Sequence, residues 1–160
     1  MDDFCQGIVD FALKDKTVMK LMTGVAGAQP QINCRRCDSS GIEGSSRAII
    51  LNSVPLEIVL CSNRLSKNEV KEALVHELIH AYDFSLNRVD FNTCTGLAHS
   101  EVRAAREAEC KDEISLLGFK SRCIREKAKR STRNIFPNGG GKCVDDVFIE
   151  AIRDLEPGFD

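Results

Sequence analysis

The chain has 160 residues, of which 42% are hydrophobic, and its formal net charge at pH 7 is −2. This length favours one domain with a single core, and the near-neutral charge argues against broad binding to nucleic-acid phosphates, which requires a basic face. No run approaches the roughly eighteen apolar residues of a membrane span, because polar residues and a proline interrupt the stretch 47–61. The acidic start of the chain, Met1-Asp2-Asp3, lacks the positive charge of a cleavable secretory signal.

The N-terminal half is predicted to contain a helix, three short strands and a second helix. Apolar residues at helical spacing predict a helix over 2–22 that is broken near Asp15-Lys16. Three apolar segments separated by turn residues predict a short antiparallel sheet with strands at 31–36, 48–51 and 56–61. The next helix covers 67–84, and Ser66 with Glu69 forms a capping box at its start.

The C-terminal half is predicted to be helical. A polar loop over 86–95 precedes a helix over 100–117, which we expect to stop at Gly118. The basic segment 120–134 is also predicted to be helical, and after a glycine-rich break a last amphipathic helix covers 142–155. The fold class is therefore α+β, with a small antiparallel sheet packed on the helix over 67–84 and a helical C-terminal half.

The helix over 67–84 contains the motif His76-Glu77-Leu78-Ile79-His80. Residues four positions apart share a helix face, so both imidazoles could bind one metal ion, and Glu77 could act on a water molecule beside it. This HExxH pattern is typical of zinc peptidases, in which the metal polarises a carbonyl while the glutamate transfers protons. Two histidines on a solvated helix face are the simpler alternative, but the chain has only three histidines in total. We therefore expect a zincin-type active-site helix with a Zn²⁺ cofactor.

A catalytic zinc needs a third protein ligand. The metzincin extension is absent, because Asp83 and Leu86 occupy the positions of its glycine and histidine. The gluzincin arrangement uses a glutamate on the next helix, and Glu101 lies at about that distance beyond the motif, so Glu101 is favoured. His99 is the main alternative ligand, with Asp83 and Asp90 behind it. Asp83 could instead accept a hydrogen bond from a motif histidine and so orient its ring. For Glu101 the non-catalytic alternative is a carboxylate near a helix N-terminus that is stabilised by the helix dipole.

The eight cysteines are the second informative feature of the composition. An even number in a chain of this size favours disulfides, which a reducing cytosol would not maintain. Cys34 and Cys37 form a CxxC motif that could alternatively be half of a zinc site or a redox dithiol, although no second pair accompanies it. The sequence leaves the pairing open, and the disulfide candidates are Cys5, Cys34, Cys37, Cys61, Cys94, Cys110, Cys123 and Cys143.

Several segments together resemble the mitochondrial ATP synthase-assembly metalloprotease family. The resemblance is carried by 76–83, which reads HELIHAYD, by 100–104, which reads SEVRA, and by the cysteine at Cys110. The CxxC motif, the segment 60–63 and the later cysteines fit as well, so the similarity covers roughly 5–155. Two positions depart from the family pattern, with His99 replacing a cysteine and Ala108 replacing a glycine.

The resemblance implies a zinc-dependent endopeptidase of the mitochondrial intermembrane space, associated peripherally with the inner membrane. Such a protein removes the presequence of an ATP synthase membrane subunit precursor and assists assembly of that subunit. The resemblance also implies that the cysteines are oxidised during import. On this interpretation residues 1–160 form a single metallopeptidase domain, and no nucleic acid is expected as a partner.

The mechanism expected from these residues has zinc held by His76, His80 and Glu101, with Glu77 as the general base. A donor to the developing oxyanion would come from His99, Arg103 or Tyr82. We also expect the strand over 56–61 to pair with an extended substrate.

Two other functions remain open from the sequence. One is a non-catalytic assembly chaperone that keeps zinc as a structural element. The other is a nucleic-acid-associated metallopeptidase, suggested by the basic segment 120–133. Such a segment is more often a solvated helix face, and an anionic inner-membrane surface is an equally simple partner for it.

Overall fold

The chain folds as two units, Met1–Ser85 and Leu86–Asp160, and this computed structural model describes residues 3–27 and 29–159. The first unit begins with helices α1 (Asp3–Ala12) and α2 (Lys16–Gly24). The predicted break between them is confirmed, because the Asp15 carboxylate caps α2 by accepting hydrogen bonds from the Thr17 amide at 2.9 Å and the Val18 amide at 3.3 Å. The first position of the predicted helix, residue 2, lies outside the described residues.

A three-stranded sheet follows, with strands β1 (Gln31–Arg35), β2 (Ala48–Leu51) and β3 (Glu57–Cys61) in the order β1-β3-β2. β2 pairs antiparallel with β3, but β1 runs parallel to β3, so the predicted antiparallel sheet is in fact mixed. β3 is the central strand, and its residues from Ile58 to Cys61 are buried on both faces. The expectation that 56–61 pairs with a substrate is therefore wrong, because β1 and β2 already occupy both edges of β3.

Helix α3 (Lys67–Ser85) completes the first unit, close to the predicted bounds. Half of the predicted capping box is present. The Glu69 carboxylate accepts hydrogen bonds from the backbone amide of Ser66 at 2.8 Å and from its hydroxyl at 2.6 Å, but the Glu69 amide donates to the Ser66 carbonyl and not to its hydroxyl. α1, α2, β2 and β3 all pack against α3. Its apolar side consists of side chains with almost no exposure, among them Val70, Leu74, Leu78 and Ile79.

The second unit contains helices α4 (Cys94–Glu107), α5 (Phe119–Ile135) and α6 (Gly140–Arg153). Together with the sheet of the first unit, they confirm the α+β class and the helical C-terminal half. α4, α5 and α6 pack around a core of small and branched side chains, formed by Ala98, Val102, Ala105, Cys110, Ile124, Ala128, Val144, Phe148 and Ala151.

The predicted helix over 100–117 is wrong at both ends. α4 begins at Cys94, because the Thr93 hydroxyl caps it by accepting a hydrogen bond from the Gly96 amide at 3.1 Å. Glycine is required at position 96, since a Cβ on Gly96 would collide with the carbonyl oxygen of Asp90. α4 ends at Glu107, and Gly118 does not terminate it but adopts a left-handed conformation, with φ of 76°, just before α5.

All eight cysteines form disulfides, which confirms the expectation from composition. The first unit contains Cys5–Cys34 and Cys37–Cys61, and the second contains Cys94–Cys143 and Cys110–Cys123. The two cysteines of the CxxC motif thus pair with different partners, and neither a zinc half-site nor a redox dithiol forms there. Each bridge joins residues of the same unit.

In the part of the chain that the structure describes, no helix combines the length and the apolar character that crossing a bilayer requires.

Removing the Cys94–Cys143 bridge, which links α4 to α6, is expected to lower the free energy of unfolding by about 4 kcal/mol, because it closes a long loop in the unfolded chain. We would measure guanidinium unfolding of the double variant Cys94→Ser, Cys143→Ser. The control is Asp145→Asn, which removes only exposed ion pairs of α6 with Arg125 and Lys129. Equal destabilisation by the two variants would contradict the expectation.

Candidate metal centre

Helix α3 brings the imidazoles of His76 and His80 together on consecutive turns. Their Nε2 atoms lie 3.0 Å apart, and the ring planes are inclined at 78°. A tetrahedral zinc with bonds of about 2.1 Å to nitrogen places two ligand nitrogens roughly 3.4 Å apart. The observed separation is close to that value, so the two side chains fit a shared metal ion with little adjustment.

The residues around this pair are fixed by the packing of α3. Leu78 and Ile79, between the two histidines, are completely buried and anchor the helix in the core of the first unit. Glu77 is half-buried beside His76. Further along α3, Asp83 is completely buried and Tyr82 almost so. The four predicted site residues of the first unit, His76, Glu77, His80 and Asp83, therefore lie on a single helix whose position is set by its apolar side.

Three further predicted site residues, His99, Glu101 and Arg103, lie on α4 in the second unit. Glu101 is 7% exposed and occupies the middle of α4 rather than its N-terminus, so the helix dipole does not explain its position. A carboxylate with so little exposure needs a cation or hydrogen-bond donors to offset its lost hydration. Asp90, a minor candidate ligand, has a local role, because its carboxylate accepts a hydrogen bond from the Asn92 amide at 2.9 Å in the turn before α4.

His99 and Arg103 share a carboxylate that the sequence did not indicate. The Asp154 Oδ2 atom lies 3.1 Å from His99 Nε2 and 3.4 Å from Arg103 Nε, and it accepts a hydrogen bond from Arg88. Burial alone would raise the pKa of Asp154, but the charge of Arg103 and the hydrogen bonds from His99 and Arg88 outweigh burial and lower the pKa to about 2. Asp154 is therefore a carboxylate that stays ionised throughout the physiological pH range.

Two arginines of α4 also hold the backbone that surrounds Asp154. Arg103, which is completely buried, donates to the carbonyl of Glu156. Arg106 donates to the carbonyl of Ile152 at 2.8 Å and to that of Asp154 at 2.9 Å. These contacts fasten the C-terminal segment to the helix that carries His99 and Glu101. The sequence contained one indication of these contacts. Two arginines lie among alanines that are expected to be buried, and a buried arginine needs hydrogen-bond acceptors elsewhere in the chain.

A helix that presents two imidazoles to one cation, with a glutamate between them, is typical of metal-dependent peptidases. The comparison with protein families agrees with that class. The sequence model of the peptidase M76 family matches residues 4–160, and the chain belongs to this family.

Curated relatives of this chain carry a common description. A "mitochondrial inner membrane protease ATP23 homolog" of Xenopus laevis is 36% identical over 78% of this chain and 56% of its own length. The Danio rerio homolog is 29% identical, over 96% of this chain and 66% of its own length, and the Schizosaccharomyces pombe protease is 30% identical over 79% and 72%. The chain thus spans between half and two thirds of the length of the first two relatives. No solved structure matches the chain.

Replacing Asp154 with asparagine should lower the free energy of unfolding at pH 7 by about 2 kcal/mol or more, because buried Arg103 loses its anionic partner. A pKa lowered from 3.8 to about 2 means that the carboxylate stabilises the fold above about pH 4 and that this contribution is lost as the pH falls toward 2. Urea unfolding at pH 7, 4 and 2.5 would therefore show a smaller acid-induced loss in the variant than in the wild type. The control is Asp146→Asn, which affects only an exposed pair with Lys142. Identical acid profiles for wild type and Asp154→Asn would refute the assignment.

Proposed function

We propose that this chain is a zinc-dependent endopeptidase. The observation that carries the proposal is the His76–His80 pair, whose Nε2 atoms lie 3.0 Å apart on one helix. Membership of the peptidase M76 family supports the same chemistry. Imidazole nitrogens at this spacing suit a borderline-soft divalent ion, and zinc is the usual metal of such sites in hydrolases.

Glu101 is proposed as the third protein ligand. Two imidazoles with one glutamate are a known donor set of catalytic zinc, and Glu101 lies on α4, the helix that follows the histidine motif in the chain. The burial of Glu101 supports this role, since a metal ion would offset the cost of removing the carboxylate from water. His99 stays the alternative ligand, and it could bind a metal only through Nδ1, because its Nε2 atom contacts Asp154.

Glu77 is proposed as the general base. It would accept a proton from the attacking water and later deliver a proton to the leaving amine. Zinc, when bound, would polarise the scissile carbonyl and lower the pKa of water. Tyr82 and His99 are the candidate donors to the oxyanion. Arg103 is better suited to positioning α4, since its guanidinium group contacts Asp154 and donates to the carbonyl of Glu156.

An extended peptide would pair with the sheet at β2. β1 and β2 lie at the edges of the described sheet and β3 lies between them. β2 is favoured because β1 packs against α1 and is bridged to it by Cys5–Cys34. Backbone groups at a sheet edge can bind an extended segment in register while alternate side chains of that segment remain free for recognition. The substrate class we propose is therefore an unfolded or terminal segment of a protein.

The proposed biological role follows the relatives. Their printed names describe proteases of the mitochondrial inner membrane. We propose that this chain acts in the intermembrane space, peripherally to the inner membrane, on the presequence of an ATP synthase membrane subunit precursor, and that it assists assembly of that subunit. Residues 1–160 are proposed to act as one metallopeptidase domain, although they fold as two units.

Glu101→Gln is expected to weaken zinc binding by more than about 100-fold, the upper range for loss of a supporting residue at a metal site. Zinc per chain would be measured by elemental analysis after dialysis, and its affinity by competition with a chelator. Glu107→Gln, another buried glutamate on α4, should retain the metal, because Glu107 pairs with Arg106. One zinc in both variants would move the third ligand to His99 or an aspartate, and no zinc in the wild type would reject the metal site.

Glu77→Gln should keep the zinc and reduce hydrolysis of an unfolded protein substrate by about 100-fold to 10,000-fold, the usual contribution of a general base. Glu72→Gln, on the same helix but paired with Arg47, should leave hydrolysis unchanged. Continued cleavage by Glu77→Gln would contradict the general-base assignment. If no hydrolysis is found with wild type but assembly of ATP synthase depends on the zinc-loaded protein, the chaperone function would replace the peptidase.

A further inference from the structure

The connection between α4 and α5 exposes a dense group of apolar side chains. Ile114 is 67% exposed, Leu116 70%, Leu117 85% and Phe119 50%, all within six consecutive residues. We call the segment 114–119 the apolar loop. Single exposed apolar residues are ordinary, but four within one six-residue segment are the kind of apolar exposure that marks an interaction site.

The apolar loop is held in place by the structure around it. The Cys110–Cys123 bridge closes its base, and the Lys120 amide donates to the carbonyl of Ile114 at 3.1 Å. Leu117 adopts a positive φ of 58°, and Gly118 a φ of 76°, which turn the chain sharply before α5. The bridge and the turn constrain the loop, so little ordering is needed when its side chains bind a partner.

The outer face of α5 continues from the apolar loop and is basic. The inner face of this helix consists of the buried residues Ile124, Ala128 and Thr132. Arg122, Lys127 and Arg130 project from the exposed side together with Glu126, the single acidic residue in the sequence of α5. Arg125 and Lys129 differ from these three, because both are neutralised by Asp145. Across the described part of the chain, the structure shows no acidic partner for Arg122, Lys127 or Arg130.

The charge of this region contrasts with that of the whole chain. Residues 111–135 contain eight basic and three acidic side chains, whereas the formal net charge of the protein is −2. Among the other strongly exposed apolar residues, which also include Val54, Ile135, Ile149 and Met19, Phe4 and Phe11 form a pair on α1, and α1 contains no Lys or Arg. Apolar exposure and uncompensated positive charge therefore coincide at the apolar loop and not on α1.

We propose that the apolar loop inserts into the interface of an anionic lipid bilayer, while Arg122, Lys127 and Arg130 bind lipid phosphates. Segments that bind at a membrane interface combine apolar and basic side chains. The free energy of burying the apolar side chains adds to that of attracting the basic ones to anionic lipids. The proposal names the partner of the peripheral protein proposed above, and it is independent of the metal site.

The test is flotation of the oxidised 160-residue chain with vesicles of phosphatidylcholine alone and of phosphatidylcholine mixed with cardiolipin. We expect binding to the mixed vesicles only, and weaker binding as salt increases. Leu116→Ser with Leu117→Ser should weaken binding at least about tenfold, through lost apolar burial. Arg122→Gln, Lys127→Gln and Arg130→Gln together should also weaken it about tenfold or more.

Two matched variants serve as controls. Phe4→Ser with Phe11→Ser removes exposed apolar side chains of the first unit, and Lys14→Gln, Lys16→Gln and Lys67→Gln together remove three exposed positive charges there. Both should float like the wild type. Circular dichroism and zinc content should be unchanged in every variant, which separates failure of this proposal from failure of the metal site.

Three results would overturn the proposal. The first is no binding of the wild type to anionic vesicles, which would leave a protein as the remaining partner. The second is equal loss of binding in the control variants, which would indicate nonspecific adsorption. The third is tighter binding to duplex DNA than to vesicles, with no effect of the leucine substitutions, which would assign the basic face to nucleic acid.

Discussion

The spacing of two imidazoles on one helix is the constraint on which the proposed chemistry depends. His76 and His80 can share a cation only while α3 keeps its regular turn, and the first unit holds that helix from several sides. β2 and β3 support it, α1 and α2 pack against it, and two disulfides tie α1 and the loop after β1 to the sheet. A donor pair held by such packing is organised before any metal arrives, which is what a specific metal site requires.

The second unit meets a different requirement, the compensation of charge removed from water. α4 carries Glu101, Arg103 and Arg106 with little or no exposure, and each buried ion needs a partner. Asp154 and the carbonyls near it supply partners for the two arginines. The segment 152–156 is thus bound to α4 through both buried arginines and helps to fix the orientation of that helix.

The sequence predicted those features that depend on local patterns. The break before α2, the contact of Glu69 with the Ser66 amide and the approximate positions of the strands all arise from residues close together in the chain. The predicted start of α4 was wrong because the helix begins at the cap formed by Thr93, and Thr93 lies in a polar segment that the sequence indicated as a loop. The parallel pairing of β1, the disulfide partners and the role of Asp154 join segments far apart in sequence, where periodicity carries no information. The location of the histidine motif was predictable, whereas its supporting contacts were not.

The disulfides also determine what would happen if the chain were cut. Each of the four bridges joins two residues of the same unit, and none links one unit to the other. The backbone between Ser85 and Cys94 is therefore the sole covalent connection from the histidine pair to Glu101. Leu86 and Asn87, at the start of that connection, are exposed, and Asn87 adopts a positive φ of 50°. A single proteolytic nick there would divide the proposed ligands between two fragments that no cross-link holds together. The oxidised protein would gain resistance to unfolding from its four bridges, yet none of them would protect it against inactivation by this one cleavage.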